Sequence, residues 1–343
     1  MRLNGVLSKI LILTAFLLTI LGVFVLTSGF FYTDSTYETA GDSLSSAGGP
    51  DTAHSYADLP DDYYEDCAEA LTYPEQAYPY YDCPDATAEF EYFIIEMSRY
   101  DISRGNLILV NHEHGFDPEF VPELVYVIDH ATPSFRVSRD DILIAESIIK
   151  PLVQMMDAYY AEIGTNAVSV RSGFRGLERQ RELLDDHIER VGPVEARRWV
   201  AEPGHSEHHA GIAMDLGFYQ DGVLRTFLGV GRTAWFAQNS YNFGFILRYP
   251  YNSSHITQVA YEPWHFRYVG LPHAYLIHQK GMVFEEYIDF IMEHNYEMPF
   301  VAIFGDYEYE IFFTGDMVIK IPYDSYFEIS GNNIDGFIVT VRR

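Results

Sequence analysis

Apolar residues fall into three regimes along the chain. Ile10 to Tyr32 is an uncharged and almost wholly apolar run. Residues 33 to 89 are rich in Gly, Ser, Asp, Pro and Tyr and hold no helical or strand period. From Phe90 the patterning of packed elements takes over. Asn106 to Asn111 (Asn-Leu-Ile-Leu-Val-Asn) predicts a short buried strand. Ile144, Ile148, Leu152, Met155 and Tyr159 recur at three- and four-residue spacing. That spacing predicts a helix from about Asp140 to Ile163, stopped by Gly164, with Pro151 marking either a kink or the start of a second helix. Ala167 to Val170 predicts a strand, and Leu177 to Arg190 a charged amphipathic helix with Leu183, Leu184 and Ile188 turned inward. Gly211 to Phe218 and Thr257 to Tyr261 predict further strands, and Pro272 to Glu293 a closing helix. Near the end, Tyr307 to Phe313 and Gly336 to Val341 read as strands, with Gly331-Asn332-Asn333 as a turn.

Charge gives the first regime a meaning. Arg2 and Lys9 precede the apolar run and acidic residues begin at Asp34, so the positive-inside rule puts residues 1–9 in the cytoplasm and everything after the run outside. Roughly 20 apolar residues span a bilayer core, and the run exceeds the roughly 7–15-residue core of a cleavable signal. A retained transmembrane signal anchor over 10–32 is the expectation, and a signal peptide cleaved near Thr27-Ser28-Gly29 is the alternative. The formal net charge of −28 argues against a nucleic-acid partner. Residues 33 to 90 contain no Lys or Arg and read as a solvated, self-repelling tether. Cys67 and Cys83 lie within it, either bridged or as two free thiols.

The candidate chemistry is confined to three short stretches. Gly204-His205-Ser206-Glu207-His208-His209-Ala210-Gly211-Ile212-Ala213-Met214-Asp215 offers three histidines and an aspartate among small residues. Forty-seven residues after Asp215 comes Glu262-Pro263-Trp264-His265. A catalytic zinc site takes three ligands from His, Asp and Glu, leaves a position for water, and needs a carboxylate that is not a ligand. Pro263 and Trp264 disfavour a helix, so an irregular or bulged strand end is expected to turn Glu262 and His265 toward one cleft. Ser172-Gly173-Phe174-Arg175 follows a predicted strand, and a fixed guanidinium there can stabilise an oxyanion. His112-Glu113-His114 lacks a second partner at metal-ligand spacing and reads as a surface loop.

Ser206 to Asp215, in the pattern Ser-x-His-x-x-Gly-x-Ala-x-Asp, resembles the signature of the VanY-type D-alanyl-D-alanine carboxypeptidases. These belong to a zinc peptidase superfamily with VanX-type dipeptidases, lysostaphin-like endopeptidases and the Hedgehog signalling domain. Glu262 to Gly270 (Glu-Pro-Trp-His-Phe-Arg-Tyr-Val-Gly) is similar to the second metal motif of that family. Ser-Gly-Phe-Arg, with Gln180 five residues on, resembles its substrate motif, Phe174 standing where Tyr is usual. Gly244 to Pro250 also looks familial, and the likeness runs from about Asn106 to Glu293. The resemblance implies His208, Asp215 and His265 as ligands of Zn2+, Glu262 as general base and Arg175 as oxyanion stabiliser. It further implies that Gln180 and Ser206 hold the terminal carboxylate of the substrate. His205 and His209 read, on their own, as supporting or surface residues that flank the ligand.

The expected fold is α+β: a mostly antiparallel sheet with flanking helices and a zinc cleft on one face. The expected divisions are a cytoplasmic stretch (1–9), the anchor (10–32), an acidic linker (33–89), a catalytic domain (90–294) and a small β subdomain (295–343) that serves as packing support. The expected partners are the membrane, through the N-terminal helix, and the peptidoglycan stem peptide, from which a terminal D-alanine would be released. Arg248 either positions substrate or forms an ion pair within the fold. The competing functions are L,D-carboxypeptidase, D-Ala-D-Ala dipeptidase and a non-catalytic wall-binding module.

Overall fold

The computed structural model describes residues 92–343 except 121 and 324. The predicted anchor, the acidic linker, and Cys67 and Cys83 lie outside the described residues. Among the described residues no helix is long and apolar enough to cross a membrane.

A six-stranded sheet organises the site, with β2 (Leu124–Tyr126) and β4 (Leu143–Ala145) paired apart from it. Its strands run in the order β3 (Arg136–Val137), β5 (Val168–Ser172), β6 (Ala213–Gln220), β9 (His265–Tyr268) and β8 (Phe245–Leu247), with β7 (Val223–Thr226) also paired to β6. Pairing is antiparallel except between β3 and β5. The alternation of side chains along a strand separates the two faces. Val168, Val170, Met214, Leu216, Phe245, Phe266 and Tyr268 enter one core together with α1 (Ile149–Ile163). Asp215, His265 and Arg267 alternate with them, so they belong to the opposite face. Arg248, just past Leu247, continues that alternation. The period that builds the core thus also collects charge in one cleft.

Several elements depart from their sequence-based expectation. α1 starts only at Ile149, after a 3-10 turn over Glu146–Ile148. Pro151 therefore sits in the first helical turn, where its missing N–H costs no helical bond, and neither a kink nor a second helix results. Gly164 closes α1 with φ 74°. α2 (Leu177–Val191) buries Leu184 and Gln180, whereas Leu183 and Ile188 are only half-buried. Asn106 to Asn111, buried from Leu107 onward, forms no strand. Its backbone is satisfied individually, by Ser330 Oγ on Leu107 N–H, by Asn332 O on Leu109 N–H, and by the Arg267 guanidinium on the carbonyls of Asn106 and Ile108. Thr257 to Tyr261 is likewise no strand: a short helix over Ser254–Thr257 ends at Gln258, φ 58°, and the chain runs irregularly to Glu262. The closing helix is two helices, α3 (His273–Lys280) and α4 (Phe284–Met292), parted at Gly281 with φ 64°.

The last strands form a second sheet in the order β10 (Phe300–Phe304), β11 (Tyr307–Thr314), β14 (Phe337–Arg342) and β13 (Tyr326–Gly331). Ala302, Tyr309, Ile311 and Ile338 pack on α3 and α4. Phe312, Ile329, Val339 and Val341 pack instead on the ribbon of β1 (Tyr92–Glu96) and β12 (Val318–Pro322). This sheet is therefore buried on both faces. Its turn reaches back: Asn333 Nδ2 donates to the carbonyls of Leu109 and Gly115, which fixes the segment that borders the site.

Candidate metal centre

Asp215 and His265 lie directly opposite each other on β6 and β9, so their side chains leave the sheet together. His208 comes from a 3-10 turn, Glu207–Ala210, ended by Gly211 at φ 70°. Successive residues of such a turn point about 120° apart. Glu207 aims into the sheet, His208 at Asp215, and His209 at the loop that carries Arg175. Glu262 stands at the head of a tight turn, with His265 N–H donating to Glu262 O at 3.1 Å. The entry into β9 is thus of the irregular kind and not bulged, while a register shift on β5, between Val170 and Ser172, brings Ser172 opposite Asp215.

The ring nitrogens decide whether a metal fits. His208 Nδ1 lies 2.7 Å from Gly173 O, to which it must donate, leaving Nε2 as the lone pair that faces Asp215 Oδ2 at 3.4 Å. His265 Nε2 lies 3.2 Å from Glu207 Oε2, and its Nδ1 faces Asp215 Oδ1 at 3.1 Å. Ligand atoms of His208, Asp215 and His265 all fall within 4.8 Å of one another. Ligands about 2.1 Å from a tetrahedral Zn2+ stand about 3.4 Å apart, so the two measured separations need almost no rearrangement. Two imidazoles and one carboxylate, each imidazole oriented through its far nitrogen, suit Zn2+.

Burial and charge set the protonation states. Burial, followed by the Arg175 charge, lowers the pKa of His208 to about 4, which keeps the ring neutral and able to ligate. Burial also opposes charge on His265, but its hydrogen bonds to Asp215 and Glu207 outweigh this and raise it to about 9. Burial opposes ionisation of Asp215, yet His208 and His265 hold its carboxyl well below the usual range. Glu262 is 7% exposed, and burial pushes its carboxyl up to about 8. Its Oε2 is 3.9 Å from His265 Nδ1, beside the ligand set but outside it. A cation in the set would favour the carboxylate form, in which Glu262 can accept a proton.

Arg175 faces the same cleft. Its guanidinium donates to Gln180 Oε1 (2.9 Å), Ser172 Oγ (3.0 Å) and Asp215 Oδ2 (3.5 Å). Gln180 Nε2 donates to Ala201 O at 2.7 Å, so both ends of this amide are committed within the protein and it supports Arg175. Gly173 is required by space, because a Cβ there would lie 2.2 Å from Leu143 O. Ser206 is buried, as N-cap of the turn that bears His208. His209 accepts from Gly204 N–H and donates to Arg175 O, tying two loops together. His205 contacts Asn111 O at 2.8 Å, and His112 and Glu113 are exposed.

Three residues that sequence reasoning passed over, Glu207, Arg267 and Glu285, stand behind the ligands together with Arg248. Glu207 is 1% exposed and accepts from Arg248 Nε (2.7 Å) and an Arg267 terminal nitrogen (2.8 Å). Glu285, on α4, takes the rest of the Arg248 guanidinium at 2.8 and 2.6 Å. Arg248 is thus an internal ion-pair partner. Their signal was available: an arginine at the end of Phe-Ile-Leu-Arg and another inside His-Phe-Arg-Tyr, in buried strands, each demand a buried acceptor.

Three groups able to ligate a metal, a further carboxylate beside them and a guanidinium across the cleft match a hydrolytic metal centre of the zinc peptidase kind. Comparison with known proteins names the family. The description "VanY: D-alanyl-D-alanine carboxypeptidase" matches residues 141–271. A D-alanyl-D-alanine carboxypeptidase of Enterococcus faecium is 32% identical over 247 residues, 70% of this chain and 76% of that protein. One from Enterococcus faecalis is 35% identical over 199 residues, 55% of this chain and 68% of that protein. Among solved structures, the vancomycin resistance D,D-dipeptidase VanXYg in complex with a D-Ala-D-Ala phosphinate analog superposes with a TM-score of 0.66 at 32% identity. That likeness covers 74% of this chain and 99% of VanXYg, a larger share than 106–293 spans. The chain belongs to the D-alanyl-D-alanine carboxypeptidase family.

Proposed function

We propose that this protein is a zinc-dependent D,D-carboxypeptidase that removes the terminal D-alanine from peptidoglycan stem peptides ending in D-Ala-D-Ala. The observation that carries this reading is the convergence of His208, Asp215 and His265 in one cleft with Glu262 beside them and Arg175 facing them. Held by the three ligands, Zn2+ would supply an acidified water and Lewis-acid polarisation of the scissile carbonyl. Glu262 receives the proton of the attacking water on its carboxylate and returns it to the leaving amine. The Arg175 guanidinium, braced by Gln180 and Ser172, stabilises negative charge as it develops on the carbonyl oxygen. Ser206 and the rim around Arg175 receive the free carboxylate of the substrate.

The test is D-alanine release by the purified full chain from a pentapeptide stem, a tetrapeptide stem and free D-Ala-D-Ala. The pentapeptide should be cleaved with the highest kcat/KM, activity should vanish on chelation and return with zinc. A zinc-loaded chain that releases no D-alanine from any of the three would overturn the reading. Dipeptidase activity is the second reading, favoured by the likeness to VanXYg, and dominance of the D-Ala-D-Ala substrate would select it. The proposal includes placement: Arg2 and Lys9 before an uncharged 10–32 run support a single-pass anchor with the catalytic part outside the cytoplasm, next to its wall substrate. Protease added to intact spheroplasts should then remove the catalytic part, whereas a mature chain beginning near Phe30 and found in the medium would contradict retention.

A further inference from the structure

The buried carboxylate of Glu207 has no role in the chemistry above, although it sits against a metal-ligating ring. Its Oε1 accepts from Arg248 Nε at 2.7 Å and from Arg267 at 2.8 Å, while its Oε2 lies 3.2 Å from His265 Nε2. Two guanidiniums keep it a carboxylate, and a carboxylate only accepts hydrogen bonds. A neutral His265 must therefore carry its proton on Nε2 and its lone pair on Nδ1, the nitrogen that faces Asp215 Oδ1. The carboxylate is itself held still. Glu285 takes the far side of Arg248 with two bonds, and Arg267 is fixed by the carbonyls of Asn106, Ile108 and Tyr268. Glu207 also precedes His208 in the same 3-10 turn, so one short turn sets both imidazoles.

We infer that Glu207 is a positioning residue of the metal centre: it fixes the tautomer and angle of His265 so that Nδ1 is presented to the metal, and the Arg248–Glu285 and Arg267 contacts keep its carboxylate in place. This rests on the reading of His208, Asp215 and His265 as a zinc set. The bare removal of Glu207 would leave two buried guanidiniums short of an acceptor and threaten the fold, so the test uses two double variants that each remove one cation and one anion. Glu207→Gln with Arg248→Met takes away the carboxylate behind His265. Arg248→Met with Glu285→Gln removes the same cation but leaves Glu207 on His265.

Zinc affinity of the full chain is measured by competition with a chromophoric chelator, alongside thermal unfolding of the zinc-free protein. The Glu207→Gln/Arg248→Met chain should bind zinc roughly 10–100-fold more weakly than the Arg248→Met/Glu285→Gln chain, with comparable unfolding temperatures. Equal zinc affinity in the two would overturn the assignment. If the first variant does not fold, nitrogen-15 spectra of the zinc-loaded wild-type chain decide instead: the His265 proton should reside on Nε2, and a proton on Nδ1 would overturn it. A wild-type chain that takes up no zinc would sink the metal reading itself, and this assignment with it, whereas zinc uptake with equal variants sinks only the role of Glu207.

Discussion

Replacing Glu262 by Gln separates the base from the ligands and has a second, thermodynamic signature. Glutamine keeps the volume and the hydrogen bonding of the side chain but cannot take a proton. Loss of a general base costs about 10²–10⁴-fold in kcat, roughly 3–5 kcal/mol at about 1.4 kcal/mol per tenfold. Zinc content should stay at one per chain, because Glu262 lies outside the ligand set and its nearest approach to a ligand nitrogen is 3.9 Å. In the chelated protein the sign of the stability effect reverses. Burial raises the Glu262 carboxyl from 4.5 to about 8, so the folded state retains a proton that the unfolded chain gives up. A group of this kind contributes its full stability below pH 4.5 and loses it as pH rises toward 8, with a limiting slope of about 1.4 kcal/mol per unit. At pH 7 the metal-free wild type should be destabilised on the order of 3 kcal/mol by this one group, against less than about 1 kcal/mol at pH 5. The metal-free Glu262→Gln chain lacks that penalty. Its advantage over wild type in urea unfolding should therefore grow between pH 5 and pH 7. Activity within tenfold of wild type would refute the base assignment. Loss of zinc would make Glu262 a ligand, and a pH-independent stability difference would refute the burial argument.

His208→Ala should empty the zinc site, read by metal analysis, and full occupancy would remove His208 from the ligand set. Arg175→Ala should keep zinc and lose roughly 10²–10³-fold in kcat with a smaller change in KM, since the oxyanion exists only in the transition state; a loss confined to KM would make it a substrate anchor. His273, buried between Tyr287 and Thr340, has its pKa lowered by burial to about 3. Its folded pKa lies below its unfolded value, so its contribution falls as pH drops below about 6.5: about 1.4 kcal/mol should be lost between pH 7.5 and pH 5.5. That part of the acid sensitivity should disappear in His273→Gln, as measured by urea unfolding at the two pH values.

What could be read from the chain followed a physical divide. The strands around Val168, Tyr307 and Phe337 were legible as short runs rich in β-branched and aromatic residues, and the helix from Leu177 as an amphipathic period. Asn106 to Asn111 misled for the same reason. It is apolar and buried like a strand, but apart from the His114 carbonyl on Asn111 N–H its backbone partners are distant: side chains of Arg267, Ser330 and Asn333 and the carbonyl of Asn332. Pattern reports burial, and only the partners say whether burial comes with a ladder. The break at Gly281 is the converse case. A long apolar period runs through it, and Gly281 ends α3 in a left-handed cap whose N–H is taken by the carbonyls of Ile277 and His278.

The reactive cluster was legible because a metal centre needs rare residue types, and glycines and alanines around them to let backbones close in. Its support was not, because an acid in a hydrophilic-looking position carries no mark of burial. Glu207 falls in a motif position that tolerates any residue, yet it occupies the point where β8, β9 and the His208 turn meet. Arg248 and Arg267 were the clue. Arg267 lies within a strand and Arg248 just past one, each beside residues that enter a core, and a fully buried guanidinium cannot stand without a carboxylate. Two such cations converging on one acid leave that acid ionised and rigid, and rigidity beside an imidazole is what a metal ligand requires. The same alternation that sends Phe266 and Tyr268 into the apolar core sends His265 and Arg267 toward Glu207. The packing pattern of one strand thereby sets both the ligand and the contact that orients it.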